Sequence, residues 1–127
     1  MCWCSCKKSH IYYKNTILEH FKNFNDDIFD IKEMFQDIAD EFGLEDYSGT
    51  LPPRGLYYTW LGKKLKDSKI LSLNIYCMGL EFRERFISLY PNVLEFVERL
   101  KNVGYKVKME KADPIECNIY FIKIILK

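Results

Sequence analysis

Apolar residues recur along this chain with two different periods, and the change of period divides it. From Thr16 onward, Ile17, Leu18, Phe21 and Phe24 return every three or four positions, and Thr16 with Glu19 has the spacing of a capping box, so a short helix is expected there. A second stripe follows in Ile28, Ile31, Phe35, Ile38 and Phe42. Asp26 and Asp27 open it with the charge that a helix N-terminus favours, and Gly43 closes it. The stretch 45–55 carries Gly49, Pro52, Pro53 and Gly55 and reads as a loop.

Beyond that loop the period falls to two. Residues 56–61 are aromatic and extended, and Leu71, Leu73, Ile75 and Cys77 alternate with Ser72, Asn74 and Tyr76, which predicts a hairpin whose connection is the lysine-rich segment 62–69. The segment 81–89 carries both periods. Phe82 and Phe86 suit a helix, but Arg83, Arg85 and Ile87 alternate with Phe82, Glu84 and Phe86, and the alternation predicts a third strand. Pro91 then opens a helix over 91–103, with Val93, Phe96, Val97 and Leu100 on one face and Gly104 as its left-handed cap. Tyr105, Val107 and Met109 alternate with Lys106, Lys108 and Glu110, and 117–126 returns as an apolar strand, a second hairpin. Strands grouped into hairpins predict an α+β fold: two N-terminal helices, then a mostly antiparallel sheet of four to five strands with one further helix packed on it. The apolar last strand lies inside that sheet or pairs with a second copy at an edge, which leaves a homodimer open.

At 127 residues the chain fits one domain, with 1–10 read as a flexible Cys-rich N-terminus. Its 48% hydrophobic and 29% charged residues exclude the disordered and low-complexity classes. Two alanines in the whole chain and 16% aromatics mean a core of large side chains. A net charge of +1 gives no global field toward nucleic acid or membrane. No apolar run approaches the roughly 18 residues of a membrane span, and the N-terminus lacks a secretory pattern. Five cysteines, three of them crowded at alternate positions, do not read as a disulfide framework, so a reducing, cytoplasmic setting is expected.

Three constellations carry chemistry. Cys2, Cys4, Cys6 and His10 supply four zinc-type ligands, but alternate thiols in an extended chain lack the spacing of tetrahedral sites. Acylation beside Lys7 and Lys8 is a second reading, and simple packing the blandest. No other cofactor is expected. The second constellation is the acidic helix. Between Asp26 and Asp46 stand nine acids and one base, Lys32, and a row of carboxylates on a helix face imitates the charge spacing of a phosphate backbone. Asp30, Glu33, Asp37, Asp40 and Glu41 are the candidate partner-binding residues, against the plain alternative of a solvated helix face. The third is the hairpin. From Arg54 to Lys69 five bases face one acid, so Arg54, Lys63, Lys64 and Lys66, with Tyr58 and Trp60 for base stacking, are candidates for nucleic-acid contact. Lysines there equally protect a sheet edge, and strand aromatics equally fill a core.

Catalytic chemistry is thinly represented. His10 and His20 are the only histidines, neither beside a nucleophile at a recognised spacing, and Cys77 and Cys117 fall on apolar phases of strands. The leading expectation is therefore a small intracellular, non-enzymatic interaction protein that docks a protein partner with a basic surface. It would modulate or inhibit a nucleic-acid-handling partner, in the manner of viral or mobile-element proteins. The alternatives are a nucleic-acid binder using 54–69 and a metal-binding or enzymatic small domain. Both binding expectations need the acidic and basic regions to stand apart in space.

Overall fold

The computed structural model describes residues 25–47, 54–66, 68–111 and 118–126. The first described helix, α1 (Asn25–Phe42), buries Ile28, Ile31, Phe35 and Ala39, with Ile38 and Phe42 half-buried beside them. It ends where Gly43 turns left-handed at φ 66° and the Leu44 N–H donates to the Ala39 carbonyl at 2.9 Å. The last turn of α1 holds no base of its own. The Arg85 guanidinium, from a later helix, donates to the Phe42 carbonyl and supplies the positive charge a helix C-terminus favours.

The strands are β1 (Glu45–Asp46), β2 (Gly55–Leu65), β3 (Ser68–Met78), β4 (Lys106–Lys111) and β5 (Asn118–Leu126). They form one sheet in the order β1-β2-β3-β5-β4, with β1 parallel to β2 and every other pairing antiparallel. A 3-10 turn (Leu80–Phe82) leads into the second helix, α2 (Arg83–Val103), which carries the chain from β3 to β4. Gly104 caps α2 at φ 108°, its N–H reaching the Leu100 and Lys101 carbonyls.

Register sorts the strands into two faces. Leu56 and Trp60 of β2, Leu71, Leu73, Ile75 and Cys77 of β3, and Tyr120, Ile122, Ile124 and Leu126 of β5 share the face under the helices and are buried. Against it α2 places Phe86, Leu89, Val93, Phe96, Val97 and Leu100. Phe35 is the hub through which α1 joins: its ring meets Tyr58, Trp60 and Phe96 edge-on at 5.3, 5.5 and 5.4 Å. A second aromatic contact stacks Phe86 on Tyr120 at 4.3 Å, and the Tyr120 hydroxyl donates to the Phe86 carbonyl at 3.2 Å.

The α+β class holds, but several details of the sequence reading do not. The expected mostly antiparallel sheet is a mixed one, because the turn at Gly43 sends Glu45 and Asp46 along β2 in the same direction; a two-residue strand carries no alternation to reveal it. Two α-helices are seen among the described residues, one N-terminal and one between β3 and β4; the helix expected over 16–24 lies outside them. The expected strand at 81–89 is helical. Phe86 and Leu89 are buried while Ile87 is 54% exposed, so the helical period governs. Pro91 therefore lies inside α2 rather than at its start. It sits on the exposed side, and the apolar stripe continuing from Phe86 to Leu100 outweighs the roughly 3 kcal/mol a helix-interior proline costs. The lysine-rich connection shrinks as well: pairing runs to Leu65↔Ser68, so residues 62–65 belong to β2. Finally, β5 lies between β3 and β4 and is no edge, so it offers no strand for pairing with a second copy.

Candidate functional site

The acidic residues of α1 separate by their position around the helix. Asp30, Glu33, Asp37 and Glu41 follow at intervals of three, four and four, which places them along one flank over about 16 Å of helix. That flank faces α2. Met34, Ile38 and Phe96 form the apolar floor of a groove between the helices, and Asp37, Glu41, Asn92, Glu95 and Arg99 rim a hollow of about 180 Å³. A second, more open hollow of about 450 Å³ continues it along the helices, adding Asp30, Glu33 and Val103 while sharing Met34, Asp37 and Arg99. Five carboxylates and one guanidinium thus surround an apolar trough. Across the groove Asn92 Nδ2 donates to Glu41 Oε2 at a long 3.5 Å.

Other members of the acidic stretch lie elsewhere, Glu45 and Asp46 on β1 among them. Asp40 sits on the outer flank of α1 and accepts from Gln36 Nε2 at 2.9 Å. Lys32, the one base of the stretch, is under the influence of Asp46 on β1; burial lowers its ammonium pKa and the Asp46 carboxylate raises it again. Among the described residues that line the groove, Arg99 is the one base.

The hairpin candidates scatter. Trp60 is buried against Phe35 and Tyr58 is half-buried beside it, on the helix-facing side of β2, so these rings fill the core and have no free face for a base. Burial raises the Tyr58 pKa, assisted by Asp46 and Asp40. Arg54 lies at the opposite end of β2 from the lysines and pairs with Glu81 at 2.6 Å, both side chains exposed. Lys63 is exposed on the outer face of the sheet, Lys64 pairs in register with Lys69, and Lys66 takes the left-handed conformation at φ 55° in the hairpin turn. Among the described residues Lys63 and Lys66 form no ion pair with the acidic flank of α1.

Cys2, Cys4, Cys6 and His10 lie outside the described residues, and within the described ones no group of three or more metal-capable side chains gathers. Cys77 is buried, its thiol pKa raised by that burial, and it donates weakly to the Gly79 carbonyl at 3.7 Å. Among the described residues no helix is long and apolar enough to cross a membrane. Glu95, Arg99 and Asn92 were not among the sequence candidates. The exposed phase of the 91–103 helix was their only signal, and nothing in the linear pattern indicated which phase would face α1. No family model, curated protein or solved structure matches this chain.

Proposed function

We propose that the groove between α1 and α2 docks a cationic, amphipathic segment of a protein partner, and that the molecule is a small non-enzymatic interaction protein. The observation that carries this reading is the alignment of Asp30, Glu33, Asp37 and Glu41 above a floor of Met34, Ile38 and Phe96. Apolar anchors of a partner gain from entering the trough, and its lysines or arginines meet the carboxylates at the rim. Rim charges act mainly on encounter, drawing an oppositely charged partner in and setting its register. Proteins that handle nucleic acid carry cationic segments because those segments neutralise phosphate, so an acidic groove competes for the same residues. A modulator or inhibitor of such a partner is the function this geometry supports best.

The test uses a fluorescently labelled amphipathic peptide of lysine and leucine. The fourfold variant Asp30→Asn, Glu33→Gln, Asp37→Asn, Glu41→Gln is expected to lose about tenfold or more in affinity and most of the salt dependence, as removing a few favourable rim charges does. Asp40→Asn, on the outer flank of the same helix, leaves binding unchanged. Equal binding by the fourfold variant, or an equal loss from Asp40→Asn, overturns the assignment to the groove.

A further inference from the structure

The sheet's outer face gathers lysines that are far apart in the chain. In one row across the strands stand Lys63, Ile70, Ile125 and Lys106, and in the next Leu61, Ser72, Lys123 and Lys108. All four lysines are exposed, and Ile125 between two of them is 39% exposed. Four strands about 4.8 Å apart and two rows one pleat apart make a patch of about 14 by 7 Å. It lies on the side of the sheet away from the acidic groove. Among the described residues Glu110 borders it and holds Lys108 at 3.5 Å.

Edge protection accounts for lysines on β4, which is an edge strand. It does not account for Lys123, on an interior strand and directly opposite Lys108. Like charges in facing positions of an antiparallel pair destabilise it, and a polyanion laid across the two relieves that repulsion. Along β5 from Lys123, the half-buried Phe121 comes next on the same face, between Asn74 and Glu110 in register. A strip of lysines bordered by an aromatic ring offers both parts of single-strand recognition, neutralisation of phosphate and a surface for stacking.

We infer that the outer face of the sheet, through Lys63, Lys106, Lys108 and Lys123, binds the phosphate backbone of a single-stranded nucleic acid, with Phe121 as the stacking residue. This surface is independent of the acidic groove and of the partner assigned to it. The experiment is fluorescence anisotropy with a labelled oligothymidylate of about 20 nucleotides, titrated with the full chain at several salt concentrations. Four phosphate contacts on a single strand give a slope of log affinity against log salt near −2.8, that is about a 50-fold loss between about 50 and about 200 mM. Lys123→Gln flattens the slope by about 0.7, and the fourfold Lys→Gln variant removes the salt dependence. Phe121→Leu weakens binding about fivefold or more at constant slope. Lys101→Gln, on α2, changes neither. Circular dichroism melts confirm that each variant is folded. The inference is overturned if the fourfold variant binds like the unaltered chain or if Lys101→Gln is as damaging. It is also overturned if polyglutamate or phosphatidylserine vesicles bind with the same salt slope while Phe121→Leu changes nothing.

Discussion

Phe35 is the position at which the attachment of α1 can be measured. Its side chain is 2% exposed and meets three aromatic rings edge-on, two from β2 and one from α2. Truncation to alanine leaves a cavity among rings that cannot close over it, which puts the cost at about 3–5 kcal/mol. Leucine restores most of the apolar volume but none of the edge-to-face geometry. Three such pairs at about 0.5–1.5 kcal/mol each, partly regained as dispersion, put Phe35→Leu at about 2 kcal/mol. Urea unfolding followed by tryptophan emission reads both, in a Trp3→Phe background so that Trp60, 5.5 Å from Phe35, is the sole reporter. With a slope of about 2 kcal/mol per molar, the midpoint falls by about 2 M for alanine and about 1 M for leucine. Midpoints within about 0.3 M of the parent for both variants, at unchanged slope, would refute the hub. Equal losses for the two would show that volume alone, and not ring geometry, holds the helix.

Two further outcomes concern the buried phenols and the proline of α2. Burial, joined for Tyr105 by its hydrogen bond to Asp27 and for Tyr120 by the neighbouring Tyr90, raises both phenols to about 12. Unfolded tyrosine titrates near 10, so the folded state holds these protons more tightly. Their contribution is complete below pH 10 and is lost as pH rises from 10 to 12, a decline that chemical denaturation across that range will record and that Tyr105→Phe makes shallower. Pro91→Ala restores a helix-interior N–H on the exposed side of α2 and is expected to stabilise the fold by about 1–3 kcal/mol, after the entropy that proline removes from the unfolded chain is allowed for; a lower melting temperature would contradict the reading of α2 as continuous.

Where a period was long, the linear pattern was sufficient. The stripe from Ile28 to Phe42 marks the face of α1 that packs on the core, though Ala39 is buried in it and Ile38 and Phe42 only half so, and the alternation from Leu71 to Cys77 gives the buried positions of β3. Residues 81–89 were misread because nine positions satisfy a period of two almost as well as one of 3.6, and Pro91 marked a false boundary. Trp60 shows a different limit. An aromatic beside lysines looks the same whether it stacks on a base or on Phe35, and only the register of β2 against β3 decides which side it faces. The acidic flank was legible because its four carboxylates lie within twelve residues of one helix. The cationic patch was not, since Lys63, Lys106, Lys108 and Lys123 become neighbours only through strand order.

The place of β5 between β3 and β4 has a consequence for how the molecule comes into being. It is the last of the described elements to be synthesised, yet it must join two strands made earlier. Until it arrives, β3 and β4 each expose an unpaired border, and Leu73 and Ile75 have lost one of their flanking neighbours. A nascent or truncated chain that stops after Lys111 is therefore a sheet with an open seam, prone to recruit a strand from any other chain. Closing that seam requires contacts between residues some fifty positions apart, which makes maturation slow beside that of a helical bundle of equal size.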